Sequence, residues 1–118
     1  MRSCLSCDGE FEDRIEICPE CGVSTSDDAA RARMNAARAA AATERYVQAH
    51  TLDGPVDKAM LTAMLTDAGV PWVLHDHAAD VLQPLIGLGR GAGVILVPRS
   101  RLSETRALIA EFQAAAPI

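Results

Sequence analysis

The chain has 118 residues, of which 49% are hydrophobic and 23% are charged, and its formal net charge is −5. This is the composition of an ordinary soluble globular chain with room for one modest domain and a small appendage. Because no apolar run approaches the roughly 20 residues that a membrane-spanning helix needs, we expect no contact with a membrane.

All four cysteines lie near the N-terminus, in the Cys-x-x-Cys pairs Cys4/Cys7 and Cys18/Cys21. Two such turns direct four sulfurs at one ion and supply the tetrahedral site that structural zinc prefers. Since protein sulfur fills every position, no place remains for water or substrate. We predict a zinc ribbon over residues 1–26 with one structural Zn²⁺.

The other uses of these cysteines are two disulfides, free thiols and a rubredoxin-like iron site. No leading apolar segment with a cleavage site precedes them, so we expect the reducing cytoplasm, where disulfides are disfavoured. Between the two pairs only Phe11, Ile15 and Ile17 are sizeable apolar residues. A segment with so small a core depends on its metal to fold.

Charge is distributed unevenly along the chain. Residues 1–28 hold two arginines against eight acidic residues, a net charge of −6, whereas residues 29–44 have a net charge of +2. A ribbon this acidic would repel a phosphate backbone, so nucleic-acid binding is disfavoured.

Residues 27–44 are rich in alanine and arginine, with Met34 as the only large apolar side chain. The composition predicts a helix capped at Ser26, Asp27 or Asp28, but offers no broad face to pack. It is either a partner-binding helix or a spacer, and we favour a partly frayed helical linker.

The segment Tyr46–Leu52 alternates like a half-buried strand. A helix is then predicted to start with Asp53 or Gly54 as its cap and Pro55 in its first turn. Gly69 suits the left-handed position after that helix, and Pro71 prevents its continuation. The predicted core stripe of the helix is Val56, Ala59, Met60, Ala63, Met64 and Ala68, widened by Leu61 and Leu65.

Residues 72–77 predict a second strand, residues 78–93 a long connection, and residues 94–98 an apolar third strand. A last helix follows, capped by Ser100 or Ser103. We place the third strand between the other two and antiparallel to both. The predicted fold class is α+β: a ferredoxin-like βαββα domain over residues 45–118, with a three-stranded antiparallel sheet and both helices on one face.

Two runs in this part, Leu61–Leu74 and Gly93–Leu102, carry a family resemblance. One contains Ala-Gly-Val-Pro after a helix, and the other ends a strand in Val-Pro before the last helix. Over residues 45–114 the chain resembles a small bacterial family labelled signal-transducing proteins, a domain of unknown function. The resemblance implies a ferredoxin-like fold and makes an N-terminal zinc ribbon a plausible companion.

The run Gly87–Gly93 is similar to a phosphate-binding loop, with Gly89, Arg90 and Gly91 as candidate anion contacts. A dinucleotide loop, however, follows a strand and opens a helix, whereas these glycines precede a strand. The simpler interpretation is a flexible loop.

His75 and His77 alternate with Asp76 and share one side of a predicted strand. Two imidazoles are too few for a tight metal site, and His50 would lie two strand spacings away, roughly 10 Å. We therefore interpret them as surface residues. Trp72 is either a core residue or an exposed aromatic on the open face of the sheet.

The serines and threonines have no histidine and acid at a recognisable spacing, so we expect no enzyme. The predicted function is a zinc-ribbon protein that mediates protein–protein interaction or self-association, possible uses being signalling or regulation. The alternative is a sensor of a small anion or nucleotide that uses the Gly-rich loop 87–93.

Overall fold

The computed structural model describes residues 1–75 and 93–115. It is a mixed α+β structure with two small antiparallel sheets and three α-helices in these ranges. The first sheet has the order β2-β1-β3 and consists of β1 (Arg2–Cys4), β2 (Glu10–Phe11) and β3 (Thr25–Ser26). Its short strands carry the Cys-x-x-Cys turns, and we call residues 1–26 the cysteine unit.

Helix α1 (Asp28–Ala40) begins at Asp27, whose side chain accepts a hydrogen bond from the backbone N–H of Ala30 at 2.8 Å. This confirms one of the three predicted caps. The helix is not a loosely held spacer, however, because Met34 is fully buried in the core and α1 contacts β1 and β3. One long side chain was enough to anchor the helix, which the absence of a broad apolar face did not predict.

The second sheet is formed by β4 (Tyr46–Leu52), β5 (Val73–His75) and β6 (Gly93–Pro98) in the order β4-β6-β5. Strand β6 is antiparallel to both neighbours, which confirms the predicted strand order. Strand β5 is shorter than predicted within the described residues, because Trp72 precedes it. Trp72 is fully buried, so it belongs to the core and not to an open face.

Helix α2 (Pro55–Asp67) has the predicted ends, with Gly54 as its N-cap and Gly69 in the left-handed region at φ 74°. Its predicted core stripe is wrong in part. Val56 and Met60 are exposed, whereas the buried residues of α2 are Lys58, Ala59, Leu61, Thr62, Leu65 and Thr66. Threonine hydroxyls can enter the core here because they find acceptors inside the helix: Thr62 donates to the Lys58 carbonyl at 2.8 Å.

The last helix, α3 (Leu102–Ala115), follows a 3₁₀ turn at Arg99–Arg101. Neither predicted serine is in the cap position, because Ser100 lies in the 3₁₀ turn and Ser103 lies inside the helix. Instead, the Glu44 carboxylate accepts a hydrogen bond from the Ser100 backbone N–H at 3.1 Å. An acceptor distant in sequence thus satisfies an N–H group at the start of this segment.

One continuous core joins the cysteine unit, the three helices and the second sheet. It contains Leu5 and Val23 of the cysteine unit together with Leu65 of α2, Ile95 of β6 and Ile109 of α3. On the opposite side of β6, Val94 is also buried, so the sheet face that we expected to be open is covered at this position.

Candidate metal centre

The first Cys-x-x-Cys turn is built by hydrogen bonds around Cys4. The Cys4 carbonyl accepts from the Asp8 backbone N–H, and the Cys4 N–H donates to the Gly9 carbonyl, both at 2.9 Å. Asp8 takes φ 61°, a left-handed conformation that aspartate tolerates better than most residues. These contacts fold the turn back on itself, so that Cys4 and Cys7 lie side by side.

The second turn repeats this geometry contact for contact. The Cys18 carbonyl accepts from the Gly22 N–H, and the Cys18 N–H donates to the Val23 carbonyl, again at 2.9 Å. Gly22 has φ 76°, equivalent to Asp8 in the first turn. Two equivalent turns that face each other are the arrangement that supplies four converging sulfurs.

The Sγ atoms of Cys4, Cys7, Cys18 and Cys21 all lie within 4.8 Å of one another. The Cys7 and Cys18 sulfurs are 3.8 Å apart. A zinc ion with Zn–S bonds of about 2.3 Å sits in a sulfur tetrahedron with edges of about 3.8 Å, so the spacing fits a tetrahedral metal. In the described residues these cysteines are the one cluster of metal-binding side chains.

Backbone N–H groups point at the first sulfur of each pair. The Cys4 sulfur accepts from the N–H groups of Ser6 at 3.3 Å and Cys7 at 3.4 Å, and the Cys18 sulfur accepts from that of Cys21 at 3.4 Å. Such bonds favour the thiolate, which is the form that binds metal. Cys4 and Cys18 are buried while Cys7 is exposed, so the site lies at the edge of the core.

Burial and crowding raise the pKa of two of these thiols. Burial raises the pKa of Cys4, and burial together with Cys7 and Cys4 raises the pKa of Cys21 to about 12. Burial acts in the same direction at Cys18, but the N–H groups of Cys21 and Glu20 outweigh it and lower that pKa. A divalent cation among the sulfurs would offset this mutual repulsion and favour all four thiolates.

The second turn is attached to helix α2 by two polar contacts that the sequence did not predict. Lys58 is buried, and its Nζ donates to the Cys21 carbonyl at 3.1 Å. The Ser24 backbone N–H donates to the Thr62 hydroxyl at 3.1 Å. A Cβ at Gly22 would lie 3.3 Å from Lys58 Cδ, which shows how closely the second turn approaches α2.

Arg38 of α1 connects the first turn to Trp72, the residue directly before β5. Its guanidinium donates to the carbonyls of Leu5 and Trp72, both at 3.1 Å, and lies 5.7 Å from the centre of the indole. The sequence gives no signal for this role of Arg38, because its two hydrogen-bond partners are 33 and 34 residues away along the chain.

The other candidate residues are not brought to the metal centre. Gly89, Arg90, Gly91 and His77 lie outside the described residues. His75 is exposed at the end of β5, and His50 is on β4, at the far side of β6. His50 Nε2 instead pairs with Asp57 Oδ2 of α2 at 3.3 Å, a partner that sequence reasoning missed.

No protein-family model, no curated protein and no solved structure matches the chain. The resemblance to the signal-transducing family therefore stays a prediction. Among the described residues, every helix is too short or too polar to cross a bilayer.

Proposed function

We propose that the four cysteines bind one structural Zn²⁺ and that residues 1–26 are a zinc ribbon. The spacing of the sulfurs, their N–H donors and the absence of an oxygen or nitrogen donor in the cluster support zinc, with iron as the other metal for such a set. Metal analysis of purified protein tests this proposal. One zinc per chain supports it, and iron or a metal-free, oxidised protein contradicts it.

We further propose that the protein is non-catalytic and binds another protein. One observation carries this proposal: an apolar hollow of about 260 Å³ where the second turn meets α2, lined by Ile17, Gly22, Pro55, Val56, Ala59 and Met60. Ile17 is 53% exposed, Val56 71% and Met60 50%. Large apolar side chains grouped at one surface are typical of protein-binding sites.

The proposed metal would stabilise this surface and would take no part in a reaction. Ile17 and Gly22 belong to the cysteine unit, whereas Val56 and Met60 belong to α2, so the apolar hollow exists only while the unit stays folded on the helix. A site closed by four sulfurs has no free position for a substrate. The proposed role of zinc is therefore to hold one wall of a binding surface.

Affinity capture from an extract of the native cell tests the binding proposal. We expect the metal-loaded protein to retain specific proteins and the chelated protein to lose them. Light scattering over a range of concentrations would detect self-association, the other form of this function. A chain that stays monomeric and captures nothing in the metal-loaded form would contradict the proposal.

We also infer that the second sheet with α2 and α3 is a ferredoxin-like domain without its last strand. The order β4-β6-β5 and the element order strand, helix, strand, strand, helix support this assignment. The sensor alternative depends on residues 87–93, and no contact of the described residues favours it.

A further inference from the structure

Acidic residues stand next to the lining residues of the apolar hollow along the chain, and we call Glu16, Glu20 and Asp53 its acidic rim. Glu16 directly precedes Ile17, Glu20 is two residues before Gly22, and Asp53 is two residues before Pro55. All three carboxylates are on exposed residues. Because consecutive Cα atoms are about 3.8 Å apart, the Cα atom of each of these residues lies within roughly 4–8 Å of the Cα atom of a residue that lines the hollow.

The cation nearest in sequence does not neutralise this rim. Lys58 is only 5% exposed, and its ammonium group is directed to the Cys21 carbonyl. The surrounding residues 1–28 have a net charge of −6. A partner therefore meets an apolar centre with negative charge at its edge.

The same charge argues against a second copy of the chain as the occupant. A two-fold symmetric dimer places a surface patch against itself. The acidic residues around the hollow of one copy would then face those of the other, and like charges across an interface cost free energy. A positively charged partner gains from the rim instead.

We propose that the apolar hollow binds a foreign protein through a short segment that presents apolar side chains flanked by lysine or arginine. The proposal rests on the proposed protein-binding function and names the chemistry of its partner. The apolar side chains of the segment cover Ile17, Val56 and Met60, and its cations pair with the rim carboxylates. Binding requires the metal, because Ile17 is held by the cysteine unit.

The test uses the metal-loaded full chain and two synthetic amphipathic peptides, one of leucine and lysine and one of leucine and glutamate. Methyl NMR signals of Ile17, Val56 and Met60 report where a peptide binds. We expect the lysine peptide to shift these three signals, to bind more weakly as salt rises, and to bind at least about tenfold more tightly than the glutamate peptide.

The double variant Val56→Thr/Met60→Gln makes two of the three large exposed side chains of the hollow polar while nearly keeping their size. Both positions are exposed, so folding is unaffected. We expect it to weaken binding of the lysine peptide by about tenfold, a free-energy loss of about 1.4 kcal/mol. Val73→Thr is the matched control, since Val73 is exposed on β5 outside the hollow, and it should bind as the wild type does.

Several results would overturn the proposal. Equal binding of both peptides, shifts at other residues, no detectable binding of the lysine peptide, or no effect of the double variant each contradicts it. A dimer that the double variant abolishes would make the hollow an interface between copies. Proteins captured equally by wild type and double variant would leave the binding function standing with its site elsewhere, whereas no capture and no peptide binding would remove both proposals.

Discussion

The cysteine unit and the second sheet with its two helices are stabilised by different means. In the cysteine unit the buried hydrophobic residues are few, and two of them are the proposed ligands Cys4 and Cys18. In the second region Leu61, Trp72 and Ile95 are fully buried in the core. The proposed metal would take the place of an apolar core where the chain is too short to build one.

The two regions nevertheless share one hydrophobic core, and their boundary also contains specific polar contacts. Lys58 and Thr62 of α2 contact the backbone at Cys21 and Ser24 through hydrogen bonds. On the proposed zinc site, the cysteine unit would depend on its ion and the second region on buried apolar area, with α2 in contact with both. Substitutions in the cysteine unit should therefore be detected in the metal content, and substitutions in the second region in the free energy of unfolding.

The largest effect is expected from loss of the metal. Cys18→Ala removes a buried ligand, and the coordination free energy that such sites contribute to folding is about 10–16 kcal/mol. We expect metal content to fall from one ion to none and the amide NMR signals of residues 1–26 to lose their dispersion. Ser6→Ala, at an exposed position, is the control and should retain the metal. A metal-free variant with an ordered cysteine unit would contradict this view.

The second-largest effect is expected from shortening a buried side chain of α2. The same experiment tests which face of the helix is buried. Leu65 is fully buried, so we expect Leu65→Ala to lower the free energy of unfolding by about 2–5 kcal/mol. Met60→Ala, on the exposed side, should cost less than about 1 kcal/mol. Urea denaturation of the metal-loaded proteins measures both. Equal losses would mean that the sequence-based stripe was right after all.

A substitution at the boundary between the two regions should have a smaller effect than either of these changes. Lys58→Met keeps the aliphatic stem but removes the hydrogen bond to the Cys21 carbonyl, at a cost of about 1.5–3 kcal/mol. Because that carbonyl is in the second turn, we expect metal affinity to fall as well, as competition with a chromophoric chelator would measure. Asp67→Asn, at an exposed position of α2, should leave affinity unchanged. An unchanged affinity in Lys58→Met would show that the turn does not need the helix.

The smallest effect concerns pH and the pair Arg101–Glu104 at the start of α3. The Arg101 guanidinium donates to both carboxylate oxygens, at 2.8 and 3.0 Å, and lowers the pKa of Glu104 below its ordinary value of 4.5. A lowered pKa in the folded state means that the stabilisation is present above pH 4.5 and is lost as the pH falls through the folded-state pKa.

Since both groups are partly exposed, the pair should contribute only about 0.3–0.5 kcal/mol. A double-mutant cycle with Arg101→Gln and Glu104→Gln, repeated at neutral and acidic pH, measures it. The coupling energy should vanish at the acidic end. A coupling that persists there would contradict the assignment.

Much of the candidate metal site could be predicted from the chain, because its determinants are local. The spacing of the cysteines indicated two equivalent turns, and Asp27, Gly54 and Gly69 marked helix ends that the structure confirms. Each of these signals acts over a few residues of backbone. The contacts that attach the cysteine unit to α2 span 37 and 38 residues and left no local pattern.

The buried face of α2 illustrates why the remainder could not be predicted. Hydrophobicity alone placed Val56 and Met60 in the core and ignored Lys58, Thr62 and Thr66. In the structure those polar residues are buried because each finds a partner, as when Thr66 accepts from the Trp72 indole at 3.1 Å. A polar side chain costs little to bury once it is hydrogen-bonded, and only the folded chain supplies the partner.

By itself the sequence therefore determined both ends of α2, the order of the strands in the second sheet, and which four sulfurs converge. Tertiary structure alone decided which side of α2 meets the core and, in consequence, which apolar side chains remain at the surface around a hollow. The reason is physical: turns and caps depend on neighbours along the chain, whereas burial depends on what the rest of the molecule places opposite each side chain.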